Sequence, residues 1–206
     1  MFSSSFFHMK KVFLSLILLA GVASAANAQQ ARFGVKAGVN LANATGNGST
    51  GGNYRAGFAV GLMGDFSFSD LLSLHPELLY SQKGYQLEER GATVQVRSRY
   101  VDVPVLLRVK ADGLFFEGGL QAGFLVGQKS EFATAGYGPS SSTSTEGIRK
   151  VDLGYVAGVG YQLLQGLELG VRYNGGVFDI RDPSGSNSAI RNSVFQVQVG
   201  YLFGGK

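Results

Sequence analysis

Residues 194–203 read Val194-Phe195-Gln196-Val197-Gln198-Val199-Gly200-Tyr201-Leu202-Phe203. Successive strand side chains point to opposite sides, so Phe195, Val197, Val199, Tyr201 and Phe203 share one face. Val194, Gln196, Gln198 and Gly200 share the other, one apolar surface and one largely small or polar. The same alternation occupies 32–43, 54–68, 72–85, 93–110, 114–131, 149–163, 167–178 and 189–203. Each run exceeds the roughly 9 to 11 tilted residues that cross a bilayer. The pattern predicts an all-β chain: an eight-stranded antiparallel up-and-down transmembrane β-barrel with lipid outside.

The connections alternate between short ones, at 69–71, 112–113 and 164–166, and long ones, at 44–53, 86–92, 132–148 and 179–188. Asp112-Gly113 between alternating runs is a strong hairpin signal, and a three-residue loop ending in Gly166 suits a turn closed by a bulge. Short periplasmic turns and longer outer loops form the outer-membrane pattern. Aromatic placement agrees, because Tyr and Phe collect at two interfacial levels in such barrels. Phe33, Phe66, Phe68, Phe116, Tyr161, Tyr201 and Phe203 fall near the short-turn ends of their runs. Tyr80, Phe124, Tyr155, Tyr173 and Phe195 fall toward the long-loop ends.

A soluble barrel of lipocalin type would turn its apolar face inward around a ligand. Here the face opposite the apolar one carries Lys36, Asp65, His75, Glu77, Lys83, Asp102, Arg108, Glu117, Asp152, Glu168 and Arg172. One charge facing lipid at midplane costs about 2 to 4 kcal/mol, so this face must line the lumen. Counting back from the Asp112-Gly113 turn sets Arg108 opposite Glu117; the 164–166 turn sets Gln162 beside Glu168 and Gly158 beside Arg172. Cross-strand neighbours of this kind interact, and an Arg108–Glu117 ion pair is expected. The 31 glycines in 206 residues, about twice the usual share of roughly 7%, relieve crowding inside a narrow barrel.

At the N-terminus Lys10 and Lys11 precede an apolar run over 12–22 and small residues over 23–28. That order makes a secretory signal peptide, with cleavage expected after Ala28. A single domain follows, a signal peptide over 1–28 preceding an outer-membrane barrel domain over 29–206, and Met9 is the more natural start site. Without the leader's two lysines the charge falls from +4 to +2. No stretch of the remainder collects the basic and aromatic residues that a nucleic-acid partner favours. Zero Cys removes disulfides, thiolate metal sites and Cys nucleophiles. No His, Asp and Glu cluster has metal spacing, and no cofactor is implied.

An eight-stranded barrel is filled by its own side chains, so the inward charges predict a plug rather than an aqueous pore. A Ser-His mechanism needs a histidine, and only His75 remains after the leader. Its place near the 69–71 turn is the wrong end for outer-leaflet lipid, which favours a hydrogen-bonded lumen residue over a catalytic one. The glycine-rich 46–51 stretch fits a dinucleotide fingerprint with no helix behind it. Asn43-Ala44-Thr45 and Asn47-Gly48-Ser49 fit the glycosylation triplet only by chance in a bacterial envelope. Pro104 lies inside a run that should be paired on both sides, where proline is tolerated at bulges, so a bulge is expected there and a lateral opening is an alternative use for it.

Three stretches also resemble a known family: residues 34–41 (GVKAGVNL), 76–84 (PELLYSQKG) and 100–108 (YVDVPVLLR). Together they are similar to the PorT family of outer-membrane β-barrel proteins, small porin-like barrels. The resemblance implies an eight-stranded barrel in the cell outer membrane with an accessory role. A secretion role does not follow, because the matching segments build the barrel. The departure is the Gly204-Gly205-Lys206 end, where many such barrels finish on an aromatic residue. The sequence thus points to a monomeric structural or interaction barrel of the envelope. Its partners are outer-membrane lipid, the barrel-assembly machinery and an envelope protein at the long loops. A minor channel and a lipid-modifying enzyme are the alternatives.

Overall fold

A computed structural model describes residues 31–45, 54–89, 92–134, 137–143, 149–163, 166–178 and 191–204. The signal peptide, both candidate start sites, the 46–51 stretch and the terminal Gly205-Lys206 lie outside the described residues. The strands are β1 (Ala31–Thr45), β2 (Arg55–Ser67), β3 (Leu72–Glu89), β4 (Ala92–Ala111) and β5 (Leu114–Thr134). They continue with β6 (Tyr137–Thr143), β7 (Val151–Gln162), β8 (Leu167–Gly176) and β9 (Arg191–Phe203). All pairings are antiparallel, and β1 pairs with both β2 and β9, so the sheet closes. The ring runs β1-β2-β3-β4-β5-β7-β8-β9, and β6 pairs with β5 alone.

Three expectations are corrected. The 86–92 segment is not a long loop, because β3 reaches Glu89 and pairs with β4 down to Glu89↔Ala92. The 132–148 segment contains a ninth strand. β7 leaves β5 after Phe124↔Val151, and β6 then covers part of the free β5 edge from Lys129 upward, satisfying ladder groups that would otherwise stand open. There is also no bulge at Pro104: the register is continuous through Pro104↔Gln121 on the β5 side, and on the β3 side it is the same at Pro76↔Val105 and Leu79↔Asp102, on either side of two unpaired positions. Proline simply omits its ladder donor while its ring sits buried in the lumen wall. The irregularity comes higher up, where Arg99 pairs with Gly127 and Tyr100 with Leu125, leaving Val126 as the extra residue. On the β3 side of Pro104 the ladder lapses over Glu77 and Leu78, opposite Pro104 and Val103, and resumes in the same register, a local gap in pairing rather than a bulge.

The 112–113 turn is as read, with Asp112 at φ 47° and Gly113 at 84°, the left-handed pair a primed hairpin turn requires. Large inward side chains lie over glycines of the next strand. A Cβ at Gly160 would sit 2.3 Å from the Phe115 ring, and Met63 lies over Gly34 and Gly200. Glycine here is a packing device that lets a narrow wall hold Phe, Met and Arg.

The outer face is apolar and uncovered, with Val35, Val39, Leu62, Leu107, Leu120, Val171 and Val197 all exposed. A belt of that extent belongs in lipid. Rings bound it at two heights: Phe33–Phe66 and Tyr201–Phe203 contact each other at the short-turn end, Phe58–Tyr80 and Tyr155–Tyr173–Phe195 at the other. Phe68, Phe116 and Tyr161 are exposed in the lower row and Phe124 in the upper. Phe116 to Phe124 along tilted β5 spans roughly 20 Å, close to the apolar band of such barrels.

Above the upper row β3, β4 and β5 do not stop. They continue roughly 20 Å further and, with β6, make a four-stranded blade on the long-loop side.

Candidate functional site

Strand parity sends eleven polar side chains into the lumen, and the structure places all eleven there: Lys36, Asp65, His75, Glu77, Lys83, Asp102, Arg108, Glu117, Asp152, Glu168 and Arg172 are buried. They form layers. At the short-turn mouth Asp65 accepts from Arg32 at 2.9 Å and from Lys110 at 2.5 Å. Above it Arg108, with no exposed surface, donates to Glu168 at 2.7 Å and Glu117 at 2.9 Å, approaches His75 Nε2 at 3.0 Å and stacks 4.0 Å from the Phe115 centroid. Arg108 and Glu117 are the cross-strand pair that turn counting gives. In the next layer Glu77 is shared by Lys36 and by Arg172, the latter at 2.8 Å, while Gln198 reaches Glu117 at 3.2 Å. Gln162↔Glu168 and Gly158↔Arg172 are also paired as counted.

The top layer holds Asp102 between Lys83 at 2.9 Å and Ser81 at 2.5 Å, with Lys83 4.7 Å from the Tyr100 centroid. Asp152 accepts from Asn192 at 2.8 Å and has one oxygen without a partner. It borders a cavity of about 10 Å³ shared with Lys83, Gln121 and Asn174, room for about one water.

The inward charges of the span are Arg32, Lys36, Lys83, Arg108, Lys110 and Arg172 against Asp65, Glu77, Asp102, Glu117, Asp152 and Glu168. They cancel. All of them except Asp152 meet an opposite charge inside the wall. The sequence reading missed Arg32, Lys110, Tyr100 and Phe115, although each has the parity of a lumen residue beside it. His75 is not arranged as a catalytic base: Nε2 faces Arg108 and lies 3.4 Å from Glu77, and Nδ1 is 3.9 Å from Asp65. No hydroxyl hydrogen-bonds it among the described residues. Nor do three or more metal-ligating side chains converge among them.

Residues 27–182 match the family model of the outer membrane protein beta-barrel domain. The chain belongs to this family. Its address is therefore the outer membrane, and the apolar belt between the two aromatic rows is the lipid face. Among solved structures it is similar to Ail, the attachment invasion locus protein of Yersinia pestis. The crystal structure of Ail with the heparin analogue sucrose octasulfate aligns with a TM-score of 0.52 at 13% identity, covering 85% of this chain and 100% of that one. A second Ail structure gives 0.51 at 16% identity over the same shares. Likeness at that identity is one of fold. No curated protein sequence matches the chain.

Proposed function

We propose that this outer-membrane barrel is a plugged, non-enzymatic interaction protein of the cell envelope, acting as a monomer through the blade formed by β3, β4, β5 and β6. The observation that carries the reading is a sheet continuing well beyond the membrane from a tube whose own interior is filled. Polar side chains such as Gln95, Arg97, Gln128, Lys129 and Ser141 are presented there without a chemical site, and exposed strands and loops on a rigid scaffold are where binding surfaces concentrate. The PorT-like motifs support placement in that branch: Lys36, Glu77, Lys83, Asp102 and Arg108 all lie within them, so the motifs encode the plug as well as the wall. The leader sequence fits export to the periplasm and insertion by the barrel-assembly machinery.

Crosslinking in intact outer membranes tests the interaction reading. A discrete crosslinked envelope protein is expected with the full chain and is lost when residues 133–147 are removed; identical patterns from both chains would overturn it. Planar-bilayer recording tests the plug. No steady open-state current is expected from the reconstituted chain, and a stable unitary conductance would instead favour a minor porin-like channel.

A further inference from the structure

The bulge at Val126 has an effect on which side chains meet outside the barrel. Below it the odd-numbered residues of β5, Glu117 and Gln121 among them, face the lumen. Above it Gly127, Lys129 and Glu131 pair with Arg99, Arg97 and Gln95, whose parity is that of the lipid face. One extra residue thus re-aims Lys129 from the lumen to the outer surface, a recognised use of bulges. The result is a strip of Arg97, Arg99 and Lys129 on one face.

Height decides what this strip meets. Val101 stands in the upper aromatic row, paired with Tyr80 and Phe124. Arg99 and Arg97 lie two and four residues beyond it, roughly 5 and 10 Å further out along a tilted strand. That is the headgroup zone of the outer leaflet. Glu131 is the one carboxylate among the described side chains to touch the strip, 2.9 Å from Lys129 and 3.4 Å from Arg97. Arg99 is exposed, has no carboxylate within 4.0 Å among the described residues, and lies against Gly127, where a Cβ would come 3.1 Å from its guanidinium. The same face opens into a groove of about 410 Å³ that begins at Lys129 and Glu131 and is lined beyond them by Thr93, Gln95, Ser140 and Ser141 with Phe132 and Ala133, hydroxyls and an amide beside an apolar patch, as sugar-binding surfaces have.

We propose that this face binds a phosphorylated glycolipid of the outer leaflet, with its phosphate on Arg97, Arg99 and Lys129 and its outward saccharide along the Thr93–Ser141 groove. Guanidinium and ammonium groups clamp phosphate through charge-assisted hydrogen bonds. The order of the two subsites matches such a lipid, whose phosphate lies nearer the membrane than its outer sugars.

Titration of labelled lipid A into the full-length barrel folded in detergent tests this, with dephosphorylated lipid A and inorganic phosphate as parallel arms. The triple substitution Arg97→Gln/Arg99→Gln/Lys129→Gln is expected to weaken lipid A binding at least about tenfold. Arg191→Gln, which removes an exposed cation of the opposite wall, is expected to change it by less than about twofold. Glu131→Gln keeps the strip and removes its anion, so it is expected to tighten binding, and it serves if the triple variant does not fold. Equal binding of the dephosphorylated lipid, displacement by inorganic phosphate alone, or indifference to Glu131→Gln would each overturn the proposal.

Discussion

Arg108→Met is expected to destabilise the folded barrel by about 3–5 kcal/mol, the cost of leaving buried charges without their partner. Arg108 is fully buried and holds Glu117 and Glu168 on its two terminal nitrogens. Methionine fills much of the same volume over Phe115, so the loss comes from two stranded carboxylates rather than from a cavity. Adding Glu117→Gln and Glu168→Gln to Arg108→Met is therefore expected to recover most of the stability. Urea unfolding in lipid vesicles, followed by circular dichroism, measures both. A single-variant loss below about 1 kcal/mol would mean that water reaches these carboxylates and that the lumen is not a dry plug.

Replacing a buried ionic cluster by apolar residues of equal volume often leaves stability unchanged or raises it, so stability alone does not account for twelve charges inside one small barrel. Register does. Strand side chains alternate with period two, and a slip by one residue turns every inward group outward. In β3 such a slip would carry Glu77 and Lys83 to the lipid face, where a lysine costs up to about 2 to 4 kcal/mol at midplane and a carboxylate somewhat less. With an apolar lumen the two faces would be interchangeable. The inward charges make the wrong side of the wall expensive, which specifies both the pairing and the orientation of each strand.

That same parity is why so much was legible in the sequence. All eleven lumen residues and both aromatic rows follow from period two plus the position of two tight turns, because a barrel wall has one lipid side and nothing else to distinguish. What escaped reading lies where those two constraints end. Past the upper aromatic row no lipid face exists, so Gln86, Leu87, Glu88 and Glu89 carry no decisive pattern, and the 86–92 stretch reads as loop although β3 pairs through Glu89. Tyr137 to Thr143 is a strand only because β5 has a free edge beside it, which is a tertiary fact. Pro104 misleads in the opposite direction, since losing one donor does not require a register shift. The bulge at Val126 has no strong local signal either, and without it Lys129 would be counted among the lumen charges.

Leu120→Lys is expected to cost about 2–4 kcal/mol, the price of a cation at the middle of the bilayer. Leu120 is 73% exposed and stands midway between Phe116 and Phe124, the members of the lower and upper aromatic rows on the same strand. On a barrel in water such a position would accept lysine at a cost within about 0.5 kcal/mol, as ordinary surface sites do. The substitution therefore separates a lipid face from a merely exposed one. The control moves along the same strand: Ala133→Lys lies above the upper row at an exposed position of the outer face, outside the band, and is expected to fall within that surface range. Unfolding in vesicles gives both values, and comparable costs at the two positions would show that the band does not sit where the aromatic rows put it. A loss at Leu120 alone would fix the height of the membrane, and with it the headgroup level at which Arg97, Arg99 and Lys129 emerge.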